Sequence, residues 1–231
     1  MFSFSHLPKL ISFCLVILFL NAGNVVAQVP PSPEEHAAYT GLHAAASKGD
    51  VSEIQRLISS GADMEYRDRR GRTALHVAAF QSHDNAVNAL VKAGSGINTL
   101  ENDSYDVITI AAVADDPDMV RLALKIGGNP ANVTSRYEGT ALIAAAHLGH
   151  VEVVQILIDA GAPLDHVNNL TWTALIEAVV LGDGGPRHVA TARALIRAGA
   201  DVSIGDEDGI TPLDHAKRRG YTDMIKVFDK R

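Results

Sequence analysis

The stretch Asp68-Arg-Arg-Gly-Arg-Thr-Ala-Leu-His76 decides the fold of this chain, because it returns at intervals. The tetrads Thr40-Gly-Leu-His43, Thr73-Ala-Leu-His76, Val107-Ile-Thr-Ile110, Thr140-Ala-Leu-Ile143, Thr173-Ala-Leu-Ile176 and Thr211-Pro-Leu-Asp214 start 33, 34, 33, 33 and 38 residues apart. A period near 33 predicts a stack of small units, none able to bury its apolar face alone. Such a stack offers a long surface instead of one enclosed cleft, so the first question is what the surface binds.

Residues 68–99 show one unit in full. Asp68 to Gly71 reads as a turn, with glycine where the backbone needs a positive φ. Thr73-Ala-Leu-His76 opens a short helix ending near Phe80. Asp84 is placed to cap a second helix whose apolar face carries Val87, Leu90 and Val91. Gly94 closes it in the left-handed conformation, as Gly61, Gly127, Gly161 and Gly199 do in other units. Asp50 with Glu53 has capping-box spacing, and Asp116-Pro117 puts proline at a first helical position. The expected fold is an all-helical solenoid of about six helix–turn–helix units with short β-turn or hairpin tips, the repeats falling near 34–66, 67–100, 101–134, 135–168, 169–205 and 206–231.

The flanking segment has a different character. Of residues 1–27 only Lys9 is charged, Leu10 to Leu20 is almost wholly apolar, and Val25-Val26-Ala27 sets small residues before Gln28. This pattern predicts a secretory signal cleaved near Ala27, with a retained anchor as the alternative. The single cysteine, Cys14, would leave with it, and a thiol-free mature chain suits the periplasm or secretion. Residues 28–33, with three prolines, read as an extended spacer before a domain at 34–231.

The chain carries 27 acidic and 20 basic residues, a net charge of −7 with neutral histidines. That balance argues against nucleic acid as a partner, since such affinity comes largely from neutralising phosphates. The histidines form no zinc-like spacing, Asp115, Asp116 and Asp118 lack the rest of a calcium loop, and no nucleophile elbow is present. No cofactor and no enzymatic activity are expected.

Asp206-Glu-Asp-Gly-Ile-Thr-Pro-Leu213 and Asp68-Arg-Arg-Gly-Arg-Thr-Ala-Leu-His76 resemble the ankyrin repeat family, and the resemblance extends over essentially the whole mature chain. Thr140-Ala-Leu-Ile-Ala-Ala-Ala-His-Leu-Gly-His150 and Leu181-Gly-Asp-Gly-Gly-Pro-Arg-His188 are also similar to exported bacterial ankyrin proteins. The resemblance implies that His43 and His76, at the tetrad histidine position, bridge backbone groups, and it implies binding through turn tips and the inner faces of first helices. Transferred position by position, it selects Arg69, Arg70, Arg72 and Phe80 in repeat two, Asp103, Tyr105 and Asp106 in repeat three, Arg136, Tyr137 and His147 in repeat four, and Trp172 and Leu181 in repeat five. Tyr105, Tyr137 and Trp172 are expected to line consecutive tips as binding anchors. A basic tip at 67–72 beside an acidic layer at 101–118 would steer an oppositely patterned partner.

Three departures stand out. Repeat three has Val107 in place of the tetrad threonine and Tyr105 in place of the turn glycine, which predicts a looser layer or a differently shaped turn. Repeat five carries five extra residues between Gly182 and Ala190, read as a longer loop on the groove side, with Asp183 and Arg187 as specificity contacts. Glu177 replaces the small apolar residues Ala44, Val77, Ala111 and Ala144. Buried there it needs a partner, and His215, Arg187 or backbone amides of the inserted loop are the candidates. Lys217, Arg218 and Arg219 read as the solvated cap of a terminal repeat.

The leading expectation is a monomeric, non-enzymatic scaffold that holds, shields or inhibits an envelope or periplasmic protein, without stable membrane insertion once the signal is removed. Peroxide-defence accessory and toxin-immunity protein are the alternatives within that class. The rival class is a small-ligand receptor or enzyme built on Glu177, Arg187, His188 and His215, which requires those side chains to converge.

Overall fold

In the computed structural model residues 28–229 are described, so the signal at 1–27 and Cys14 lie outside the described residues. After a short α1 (Pro33–Ala38), six first helices alternate with six second helices. The first helices are α2 (Gly41–Ser47), α4 (Ala74–Phe80), α6 (Val107–Val113), α8 (Ala141–Leu148), α10 (Ala174–Val180) and α12 (Pro212–Arg219). The second helices are α3 (Val51–Ser59), α5 (Asp84–Ala93), α7 (Pro117–Lys125), α9 (Val151–Asp159), α11 (Pro186–Ala198) and α13 (Thr222–Phe228). First helices stack serially on first helices and second on second, giving two layers that run the length of the domain.

Local chemistry sets each start. Thr140, Thr173 and Thr211 accept hydrogen bonds from the backbone amides of Ile143, Ile176 and Asp214, which satisfies a helix-terminal donor in each repeat. In repeat two His76 takes part: its Nδ1 accepts from the Thr73 amide and its Nε2 donates to the Thr99 carbonyl at 2.9 Å. His43 bonds the Arg72 carbonyl through Nε2, so both histidines bridge backbone groups as expected. Asp50 accepts from the Glu53 amide, but the Glu53 carboxylate turns to Arg56 instead of closing the box. Asp84 is the first residue of α5, not its cap, which is His83. Gly94 and Gly199 end α5 and α11 with φ of 116° and 102°.

The core is thin and continuous. Pairs of buried alanines (Ala45–Ala46, Ala78–Ala79, Ala111–Ala112, Ala145–Ala146) let the first helices approach closely, while Leu75, Ile108, Leu142 and Leu175 fill the space beneath. Each fully buried leucine contributes about 1.5–3 kcal/mol. The tips are turns, with one isolated antiparallel bridge, Thr134 to Gly139, among the described residues. Backbone bonds stitch neighbouring tips together: Asn102 to Arg70, Ser135 to Ser104 and Asn169 to Tyr137, at 2.8–2.9 Å.

The register of repeat three differs from the expectation by one residue. Asp106 caps α6, accepting from the Thr109 amide at 2.8 Å and from the Thr109 hydroxyl. It therefore takes the threonine's place, and the layer is held instead of loosened. In repeats two to six the turn position two residues before the cap is Gly71, Ser104, Glu138, Thr171 and Gly209, all with φ between 54° and 73°. Ser104, not Tyr105, stands where glycine was expected.

Two further segments depart from expectation. Residues 28–33 are no free spacer. Gln28 Nε2 donates to the Ile110 carbonyl at 3.0 Å, Pro31 is buried, and Ser32 and Glu35 form the capping box of α1. The insertion in repeat five does not simply lengthen a loop. It adds a turn to the front of α11, 13 residues against 9 for α9, with Pro186 at the first helical position. At the far end Lys217, Arg218 and Arg219 are exposed, as a terminal face should be.

Candidate functional site

The corrected register explains where a cleft forms. The residue just before the cap in repeats two to six is Arg72, Tyr105, Gly139, Trp172 and Ile210, and three of these, Tyr105, Gly139 and Trp172, line one cleft. Arg72 and Tyr105 are buried and Trp172 is half-buried. Repeat four has glycine, so the space between Tyr105 and Trp172 is left unfilled. The result is a cleft of about 350 Å³ over repeats three to five. Val113, Ile143, Ala144 and Leu148 form its base, and Tyr137, Leu170, Trp172 and Leu181 rise around it. Leu170 and Leu181 are each 42% exposed, which makes the rim unusually apolar for an open surface.

Glu177 lies within this cleft and is 5% exposed. Its partners are not the ones expected. Oε1 accepts from Asn168 Nδ2 at 2.8 Å, and Oε2 meets His147 Nδ1 at 3.1 Å. Asn168 Oδ1 in turn accepts from the amides of Leu170 and Trp172, both at 3.0 Å, so the carboxylate fixes the turn that carries the tryptophan. His215 takes the equivalent position one repeat on, but its Nε2 bonds Asp206 of its own turn at 2.7 Å. Each pair joins a tip residue to the helix residue nine positions later, which is why His215 satisfies Asp206 and leaves Glu177 to Asn168. Burial works to raise the Asp206 carboxyl, but the Ile210 amide and His215 hold it below the usual range.

The insertion stands behind this group. His188 Nε2 donates to the His147 carbonyl at 3.0 Å while its Nδ1 meets Asp183 at 2.9 Å. Arg187 donates to the Gly149 carbonyl and to Asp115 at 3.1 Å. Both residues brace the end of α8 and do not line the cleft. Asp183 is exposed at the front of α11. Glu177, Arg187, His188 and His215 thus do not converge, contrary to what the receptor-or-enzyme expectation required.

The expected binding strip divides in two. Arg69 and Arg136 are exposed, Phe80 and Arg70 are partly so, and Tyr137, His147, Trp172 and Leu181 gather around the cleft. Three members are corrected. Arg72 is 1% exposed because it donates to Asp68 Oδ2 and to Glu35 Oε1, each at 2.7 Å, under the N-terminal segment. Tyr105 is 7% exposed because its ring packs inward at the first-helix face, and burial pushes its hydroxyl pKa up to about 12. Asp106 is 1% exposed because it is a cap. The charge pattern is also largely consumed locally: Arg67 donates to the Gly71 and Leu100 carbonyls, Arg136 pairs with Asp103, and Arg70 lies 3.7 Å from Glu35.

Among the described residues no three His, Cys, Asp or Glu side chains lie together as a metal site. No described helix is long and apolar enough to cross a membrane.

A solenoid of paired helices with an apolar cleft on its inner-helix face is the architecture of an ankyrin repeat domain, and the comparisons agree. The ankyrin-repeats family model matches residues 13–103 and 108–206, so the chain belongs to that family. A crystallised ankyrin repeat domain from Acinetobacter baumannii is 40% identical, covers 80% of this chain and 94% of its own, and superposes with a TM-score of 0.76. The crystallised ankyrin repeat protein EF0377 is 30% identical over 83% of this chain and 98% of its own, also with a TM-score of 0.76. The ankyrin repeat protein YahD of Escherichia coli strain K12 is 33% identical over 98 residues, which are 42% of this chain and 49% of that relative. Domains of this family serve in general as scaffolds for protein–protein contact.

Proposed function

We propose that this ankyrin repeat protein is exported, acts as a monomer, and binds another periplasmic or envelope protein through the inner-helix face of repeats three to five, shielding or inhibiting it. The apolar cleft rimmed by Tyr137, Leu170, Trp172 and Leu181 carries this reading. Half-exposed aromatics around a well-defined hollow are what interface hot spots use. The N-terminal segment supports the placement, because it covers Arg72 and touches α6 at Ile110, while none of its residues lines the cleft. Export rests on the apolar run and small residues before Gln28. A stable complex would bury about 1,200–2,000 Å² in total.

The test is a crosslinking pull-down from the native periplasm with tagged wild-type protein and a Tyr137→Ala/Trp172→Ala variant. A protein recovered by the wild type and lost by the variant supports the proposal. Equal recovery by both removes the cleft from it, and absence of the chain from the periplasmic fraction removes the export.

A further inference from the structure

Glu177 is the one formally charged residue lining the cleft; no lysine or arginine joins it there. Its carboxylate has about four acceptor positions. Asn168 uses one on Oε1 and His147 one on Oε2. The walls are otherwise aromatic, aliphatic and small. A carboxylate sunk in such a place, held by a neutral amide and a half-exposed imidazole, is incompletely compensated for its loss of water. The side chain that completes it has an aliphatic stem to lie on Leu170, Leu181 and the Trp172 ring, and a cationic head to reach the carboxylate.

We propose that the cleft is a socket for one lysine or arginine side chain, presented by an otherwise apolar segment of the partner protein. This rests on the protein-binding reading and adds the chemistry of what is bound. Three observations converge on it: a single negative charge among the lining residues, apolar side chains around it, and a hollow where Gly139 carries no side chain. Asn168 links the two halves of the socket, since it donates to the carboxylate and accepts from the amides of Leu170 and Trp172. Charge recognition and the position of the aromatic wall are thereby set by one group.

Trp172 is the only tryptophan in the chain, so its fluorescence reports occupancy of the socket directly. The probes are acetylated and amidated pentapeptides Ala-Leu-X-Leu-Ala, with lysine, arginine, norleucine or glutamate at X, titrated into the protein. The lysine or arginine peptide should give a saturable change with a Kd at least about ten-fold below that of the norleucine peptide. Glu177→Gln should reduce that preference to within about two-fold. Gly139→Leu, whose added Cβ finds only ordinary contact with Ile143 at 3.5 Å, should weaken every peptide by filling the hollow.

A norleucine or glutamate peptide that binds as tightly as the basic ones overturns the inference on the wild-type protein alone. So does a ten-fold preference that survives Glu177→Gln. A Trp172 response that follows protein concentration without peptide overturns it in favour of a second copy of the chain. No saturable response to either basic peptide also overturns it, and a pull-down partner lost with Tyr137→Ala/Trp172→Ala would then leave the protein-binding reading standing.

Discussion

Removing the Glu177 carboxylate should loosen the tip of repeat five as well as destabilise the fold. In Glu177→Ala, Asn168, itself 4% exposed, loses the acceptor of its side-chain amide. A buried donor left unsatisfied costs about 1–3 kcal/mol. His147 also loses a partner, but its side chain is 29% exposed and water can replace the contact, so about 0–1 kcal/mol is added. The expected total is about 1–4 kcal/mol. Glu177→Gln keeps an oxygen for Asn168 and should cost about 1 kcal/mol or less. Urea unfolding gives the energies, and hydrogen exchange at the Leu170 and Trp172 amides, both held by Asn168, gives the local effect. An alanine variant within about 0.5 kcal/mol of wild type, with unchanged protection at those amides, would refute the claim that Glu177 braces the tip.

Arg72→Ala should cost about 3–5 kcal/mol, because it removes the cation that pairs with Asp68 and Glu35 and leaves Asp68 only neutral donors, and should speed hydrogen exchange over residues 28–38; Arg72→Lys should not restore either, lacking the planar fork. Burial lowers the His76 pKa from 6.5 to about 4, so between those values the unfolded chain takes up a proton that the folded chain refuses. Stability should therefore fall as pH drops from 6.5 toward 4, by up to about 3 kcal/mol, and that slope should shrink in His76→Gln when urea midpoints are compared at pH 7 and pH 4.5. Gly71→Ala should cost about 1–2 kcal/mol in the same assay, because φ at that position is +72° and the added Cβ would run into the Asn102 side chain.

The fold was legible because its signals are local. A threonine cap, a turn glycine and a closing glycine repeat at a fixed period, and each satisfies a backbone need within a few residues of itself. The same logic explains the one-residue shift in repeat three. Asp106 caps as well as threonine does, and Ser104 tolerates the positive φ, so the chemistry persisted while the letters moved by one place. The site was less legible, since its decisive feature is an absence. Gly139 looks unremarkable along the chain and becomes a hollow only when set in column with Arg72, Tyr105 and Trp172. Its signal in the sequence is the column of residues that precede the caps. Glu177 was correctly singled out by its column, but its partner depends on which tip residue lies nine positions back. The docking of residues 28–38 depends on a buried arginine 37 residues beyond Glu35, and no local pattern encodes that contact.

The central claim is that a partner protein sits on the inner-helix face of repeats three to five. A photo-crosslinking amino acid placed at Leu181, on the cleft rim, and separately at Asp159, exposed at the end of α9 in the opposite layer, tests it in the cell of origin. The account predicts a discrete adduct of the same mass shift on every repetition from position 181 and none from position 159. An adduct from 159 with none from 181 would contradict it.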